Sequence, residues 1–250
     1  MRHEPEKMTD PAAQGGTEGI GAELEQYFVD ISTGCPYGLP QMAVYHQAMF
    51  TALDSGTMGR FLANGFRRNG NCMYNMRCPD CRGCVPIRLR PDRFRPNRNQ
   101  RRVWKKNSDL SVGVAPLTMT DENLDLLDRF LKTRFPDSRS DAQSYYSGFF
   151  VTSISHCFEI RYRVGERLVG VAVVDGSRHW LNAVYFYFDP DQGRRSPGTM
   201  NILYLISFCR SHGIDFLYLG YWIDEVRAMR YKSAFRPHEL FIDGHWRQQD

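Results

Sequence analysis

The chain has 250 residues and a mass of 29.0 kDa, room for two modest domains or for one with an appended module. Hydrophobic residues make up 42% and charged residues 24%, which excludes a largely disordered chain. No run of 18 apolar residues and no apolar leader occurs, so the expectation is a cytoplasmic protein with no membrane association. The net charge of +4 is unevenly placed. Arg82 to Lys106 holds ten basic residues and one acid, Asp92, while the remainder of the chain is net −5. Positive charge gathered in one stretch suits a polyanion.

In chain order, residues 1–25 are polar and read as a disordered tail. Met42, Tyr45, Met49, Ala52 and Leu53 recur at helical spacing and predict a helix over Pro40–Ser55. Arg60–Arg90 reads as an irregular cysteine-rich module, and Pro91 and Pro96 break regular structure after it. Thr120 is a plausible N-cap, followed by acidic residues and by Leu124, Leu127, Leu131 and Phe135 on one helical face. Pro136 ends that helix.

From Cys157 the periodicity changes to that of strands: Phe158–Arg163, Leu168–Val174 and Trp180–Phe188, with a hairpin signal at Asp175-Gly176. A loop over Asp189–Pro197 leads to a helix over Thr199–His212, stopped by Gly213, and to a buried strand over Asp215–Leu219. Three antiparallel strands, a loop, a helix and a strand are the core order of GNAT-type acyltransferases. The fold class is therefore α+β, with residues 26–110 as an N-terminal cysteine-containing and basic module and 111–250 as a GNAT-like acyltransferase domain.

Cys78, Cys81 and Cys84 follow C-x-x-C-x-x-C spacing, and Cys35 would complete four thiolate ligands. Such a set holds zinc or an iron–sulfur cluster, and both stay open, as does a tight turn of small packed residues. Arg98, Arg101, Arg102 and Lys105 are the candidate contacts to nucleic acid; Trp104 and Phe94 are interleaved for stacking. A solvated charged face is the alternative. Arg67 and Arg68, flanked by Gly65 and Gly70, could hold a small carboxylate, or lie in a surface turn. Tyr218 and Tyr221 end the last predicted strand, where an acyltransferase cleft would lie and where a hydroxyl orients an amine or donates a proton; an aromatic core is the alternative. Lys232 follows closely and suits a substrate carboxylate or phosphate. The loop Gln192–Gly198 lacks the glycine spacing that cradles a pyrophosphate, and Pro197 removes a donor, so coenzyme A is not expected. The seven histidines form no obvious catalytic pair, and no G-x-S-x-G or H-E-x-x-H occurs.

Six segments together resemble the arginyl-tRNA–protein transferase family, most closely its short bacterial branch. They are Cys35-Pro36-Tyr37, Gly65-Phe66-Arg67-Arg68, Cys78–Cys84 with Val85-Pro86-Ile87-Arg88, Gln100-Arg101-Arg102-Val103, Tyr218–Ile223 and Met229-Arg230-Tyr231-Lys232. Gly38 and Asn99 depart from the family pattern. The resemblance implies transfer of an amino acid from charged tRNA to the N-terminal amine of proteins beginning with Asp or Glu, in the N-end rule pathway of degradation. The short branch uses leucyl-tRNA and the longer relatives arginyl-tRNA. An ester donor makes amide formation downhill, so no ATP is expected. Tyr218 and Tyr221 are then the expected catalytic residues, and Arg67, Arg68 and Lys232 the acceptor-binding ones. Arg98, Arg101, Arg102 and Lys105 are the expected tRNA contacts. A catalytically silent zinc-containing nucleic-acid binder is the competing expectation.

Overall fold

Two sheets and seven helices account for the residues described by a computed structural model, 20–136 and 141–250. The expected tail lies outside the described residues except for its end. There Ile20 is buried with Phe61 and Phe66, and Ala22–Glu25 forms a short helix, α1.

The smaller sheet has the antiparallel order β1-β2-β4-β3, from β1 (Val29–Gly34), β2 (Met42–Met49), β3 (Arg67–Asn69) and β4 (Cys72–Met76). The helix expected over Pro40–Ser55 is therefore a strand. Met42 and Met49, which drew the helical stripe, are 56% and 71% exposed, while Ala43, His46 and Ala48 are buried. The helix comes one element later as α2 (Ser55–Ala63), whose Thr57 N–H donates to the capping Asp54 carboxylate. The expected irregular module thus contains the end of α2, β3, β4 and a further strand, Val85–Leu89.

The larger sheet runs β12-β11-β5-β10-β9-β8-β7-β6. Its members are β5 (Val85–Leu89), β6 (Leu110–Pro116), β7 (Cys157–Val164), β8 (Arg167–Gly176), β9 (Trp180–Phe188), β10 (Phe216–Trp222), β11 (His238–Ile242) and β12 (His245–Gln249). The expected division at residue 110 does not follow the sheets, because β5 comes from the basic module and lies between β10 and β11.

Helices and the smaller sheet cover the larger sheet. On one face α3 (Arg98–Lys106) packs against α6 (Pro197–Ser211), burying Val103, Ile202, Leu205 and Ile206 over Ala172, Val174 and Leu217. On the other, α4 (Asp121–Arg134) and α5 (Ala142–Tyr145) bury Leu126, Leu127 and Ala142 against Val171, Val173 and Val184. Thr120 caps α4 as its sequence implies. A short α7 (Arg227–Arg230) and a turn of 3-10 helix, Tyr231–Ala234, follow β10.

One feature of the larger sheet positions the site. Strands β9 and β10 are parallel and pair only at Trp180–Phe216, Leu181–Leu217 and Asn182–Tyr218. Beyond these the ladder stops, and β10 is irregular against β5 between Tyr218 and Tyr221, where Gly220 adopts φ +82°. Backbone groups freed at such a splay need other partners.

Candidate active site

Arg67 occupies the splay. Its Nη1 donates to Asn182 Oδ1 at 2.7 Å and its Nη2 to the Ala183 carbonyl at 2.9 Å, the first β9 residue past the paired stretch. A guanidinium has five N–H donors, and three of Arg67's have no partner among the described residues. The Arg67 side chain lies against the bare backbone of Gly220, where an added Cβ would come within 2.9 Å of Cζ.

Arg68 is used differently. It forms a two-point ion pair with Asp175, at 2.7 Å from both Nε and Nη2, and both side chains are fully buried. Its other donors reach the carbonyls of Phe149 and Phe150 at 3.3 Å and Cys157 Sγ at 3.1 Å. All five are taken, so the expectation that Arg68 itself grips a substrate carboxylate is corrected. Its route to the site is indirect: Asp175 also accepts from Asn182 Nδ2 at 2.9 Å, which turns the Asn182 carbonyl oxygen toward Arg67.

Lys232 approaches from the turn after α7 and donates to the Tyr221 carbonyl at 2.7 Å. Burial, together with the Arg67 charge, lowers the Lys232 ammonium to about 7. Neither cation has a carboxylate partner among the described residues.

A group of tyrosines surrounds them. Tyr74 packs on Tyr45 at 5.4 Å and on Tyr221 at 6.4 Å between ring centres. Tyr37 feels both Tyr74 and Arg67. Burial raises the phenols of Tyr37, Tyr45, Tyr74 and Tyr221, that of Tyr45 to about 12. At neutral pH they are O–H donors, and none is a phenolate base. The Tyr221 hydroxyl is buried and has no hydrogen-bond partner among the described residues.

Tyr218 is placed otherwise. Its hydroxyl accepts from Arg88 Nη1 at 3.3 Å, and its ring meets Trp246 edge-on. Arg88 is stacked between Phe216 and Trp246 and pairs with Glu239 at 2.5 Å. The two expected catalytic tyrosines are thus split: Tyr221 joins Arg67 and Lys232, and Tyr218 joins Arg88.

The four expected metal ligands are neighbours. Burial, and then the charges of Cys78, Cys35 and Cys81, push the Cys84 thiol up to about 12. The Val44 N–H reaches Cys78 Sγ at 3.5 Å and the Gly83 N–H reaches Cys81 Sγ at 3.4 Å. Yet no three His, Cys, Asp or Glu side chains among the described residues stand close enough together to hold a metal ion. The donor set as placed does not fit zinc or a cluster.

The basic stretch forms α3 and the turn leading into it. Asn97 and Gln100 make a reciprocal capping box, and Gln100 and Val103 face inward. Arg98, Arg101, Arg102, Trp104 and Lys105 are exposed, and no carboxylate pairs with any of these cations among the described residues. At the end of α3, Lys106 Nζ donates to the Arg194 carbonyl at 2.6 Å and Asn107 Nδ2 to that of Arg195 at 2.9 Å. The basic face therefore abuts the loop that feeds α6. The first turn of α6 meets Tyr231, next to Lys232, where a Cβ on Gly198 would stand 3.2 Å from the Tyr231 hydroxyl.

Sequence reasoning missed Asn182, Asp175, Tyr37, Tyr45 and Tyr74. Asp175 carried a signal of the wrong kind, since it reads as a hairpin turn but lies within β8, fully buried.

No helix among the described residues is long and apolar enough to cross a membrane. Family models described as arginine-tRNA-protein transferase match the chain twice, the N terminus at residues 33–102 and the C terminus at 122–242. An aspartate/glutamate leucyltransferase of Nitrosococcus oceani is 40% identical over 78% of this chain and 83% of its own length. Enzymes of the same name from Pseudomonas putida and Methylobacillus flagellatus are 39% and 38% identical, over 73% and 78% of this chain and 78% and 79% of theirs. Among solved structures, a tandem GNAT protein of the clavulanic acid pathway is 11% identical, with a TM-score of 0.39 over 83% of this chain and 58% of that one. Two family models in the right order and relatives matched over most of both lengths make the chain an aminoacyltransferase belonging to the arginine-tRNA-protein transferase family.

Proposed function

We propose that the protein transfers leucine from leucyl-tRNA to the N-terminal amine of proteins beginning with Asp or Glu, in the cytoplasm, as a step toward their degradation. The observation that carries this reading is the pair of basic side chains without a carboxylate partner among the described residues, Arg67 and Lys232, beside the β9–β10 splay. A packed guanidinium without a counter-ion, beside a lysine that an anion would charge, favours an anionic ligand, and the Arg67 fork suits a carboxylate. Arg68 acts behind them, holding Asn182 through Asp175.

The larger sheet with α6 is read as a GNAT-type acyltransferase core, because its parallel strand pair opens where the reactants would meet. The amine attacks the ester carbon, the new N–C bond forms, and the tRNA hydroxyl departs. Positioning and control of protons are the catalytic task. Tyr221, with its orphan hydroxyl, is assigned to donate a hydrogen bond to the tetrahedral oxyanion. Tyr218 is assigned to the supporting wall through Arg88. The name shared by the relatives favours leucine over arginine as the transferred residue.

The test offers each labelled aminoacyl-tRNA in turn with peptides beginning in Asp, Glu, Lys or Arg. Product is expected from leucyl-tRNA with Asp and Glu only. Arginine transfer would reassign the donor, and no product with any pair would favour the nucleic-acid binder.

The α3 face is assigned to the tRNA. Changing Arg98, Arg101, Arg102 and Lys105 together to Ala is expected to weaken leucyl-tRNA binding at 50 mM salt by about 100-fold or more. The slope of log affinity against log salt is expected to fall by roughly 3–4, near one per phosphate contact. Filter binding over a salt series reads both, and an unchanged slope would move the RNA to another face.

A further inference from the structure

The mechanism leaves one group unexplained: something must take the proton from the acceptor's α-ammonium. This inference rests on the acceptor site proposed above. We propose that Lys232 is the general base for the incoming α-amine, and that the acceptor's own acidic side chain enables it to act as one.

The geometry comes first. Lys232 Nζ spends one donor on the Tyr221 carbonyl, and the residue before that tyrosine, Gly220, carries the Arg67 guanidinium against its backbone. Among the described residues, these charged and titratable groups lie around it. Arg67 comes from β3, Tyr221 from β10 and Tyr231 from its own turn. From α7, Arg227 and Arg230 are exposed, and Arg230 is turned to Asp224, its Nε 2.8 Å from that residue's carbonyl. No carboxylate is paired with Lys232 among the described residues. The surrounding phenols are held protonated by burial, which removes them as bases. Lys232 is left as the group in the cluster that changes charge near neutrality.

Acceptor binding alters that balance. The Asp or Glu carboxylate brings an anion against Arg67 and Lys232, and a neighbouring anion favours the ammonium form of lysine. The carboxylate and the α-amine belong to one residue, so both lie within reach of Nζ. The proton then passes from the α-ammonium to Lys232, and the freed amine attacks the ester carbon. The second N–H proton goes to the departing tRNA hydroxyl. Lys232 returns its proton to water when the product leaves. Net, one ammonium and one ester give one amide, one hydroxyl and one proton. An Asn or Gln acceptor supplies no anion, so it loses turnover as well as affinity.

A specific pH signature follows. Two groups set it, Lys232 near 7 and an α-amine near 8 when free. In the wild-type enzyme, kcat/KM for an Asp-peptide is expected to rise through about pH 7, as Lys232 loses its proton, and to level off above about pH 8, where the amine is already free. Lys232→Arg keeps the cation but cannot accept a proton. Its KM for the Asp-peptide is expected to stay within about 3-fold, its kcat at pH 7 to fall by about 100-fold, and its profile to rise to a plateau as the amine ionises. Leucyl-tRNA affinity checks that the variant is folded, and the wild-type profile decides without it. A wild-type profile that rises only near pH 8, as the amine itself ionises, or Lys232→Arg with wild-type kcat, overturns the proton role while leaving the acceptor site intact. Equal use of Asp- and Asn-peptides by the wild-type enzyme would instead remove the acceptor site itself.

Discussion

Arg67→Ala is expected to lower kcat/KM for an Asp-initiated peptide by roughly 10²–10³, a loss of about 3–4 kcal/mol, with leucyl-tRNA affinity unchanged. The size follows from what is removed. A carboxylate desolvated at the splay would keep Lys232 but lose the fork that fixes its orientation. The loss should shrink to a few-fold for an Asn-initiated peptide, which makes no ion pair, and that difference separates a lost contact from a damaged fold. Arg67→Lys keeps the charge without the fork and should fall between the two. Gly220→Ala attacks the same contact from below. The added Cβ would stand 2.9 Å from Arg67 Cζ at a backbone φ of +82°, so both the strand and the guanidinium must shift. It should reproduce much of the Arg67→Ala selectivity defect while leaving Arg67 in the sequence. Steady-state rates with paired Asp- and Asn-peptides test this. An Asp-to-Asn preference that survives Arg67→Ala would place the acceptor carboxylate elsewhere.

What the sequence made legible was what short-range chemistry decides. Thr120 with its following acids marked the start of α4, and the aromatic run Trp180–Phe188 has the bounds of β9. Met42 and Met49 misled because seven residues is two helical turns and also an odd strand offset. Only the partners β1 and β4 settle which period holds, and they leave both methionines toward solvent. Arg67 and Arg68 show the same limit at the site. Adjacent in sequence and alike in chemistry, they differ by what arrives from more than a hundred residues away: Asn182 and a carbonyl for one, Asp175 for the other. The cysteine spacing was legible, but whether its thiols close on a metal depends on how the β4–β5 link and the end of β1 settle. The tyrosines around Arg67 had no local signal, since nothing in their spacing marks them as neighbours.

The second large effect belongs to the Arg68–Asp175 pair. Both partners are fully buried, and the guanidinium spans β3, the carbonyls of Phe149 and Phe150, and β8. Burial alone would lower the Arg68 pKa, but the Asp175 carboxylate more than offsets it and holds it above the ordinary value. Removing one member leaves the other as an uncompensated buried charge, at a cost of about 3–5 kcal/mol. For Arg68→Met or Asp175→Asn the expected fall in Tm is on the order of 10 °C. The double change Arg68→Met with Asp175→Leu should recover much of that loss, because a packed apolar pair carries no stranded charge. Stability and function should then separate. The double variant has no carboxylate to hold Asn182 Nδ2, so the Asn182 carbonyl oxygen is no longer aimed at Arg67. Its Asp-to-Asn preference should stay low even where its Tm has recovered. Thermal unfolding and paired-peptide rates on the same three variants read the two effects. A double variant that regains both would make the ion pair a purely structural joint between the sheets.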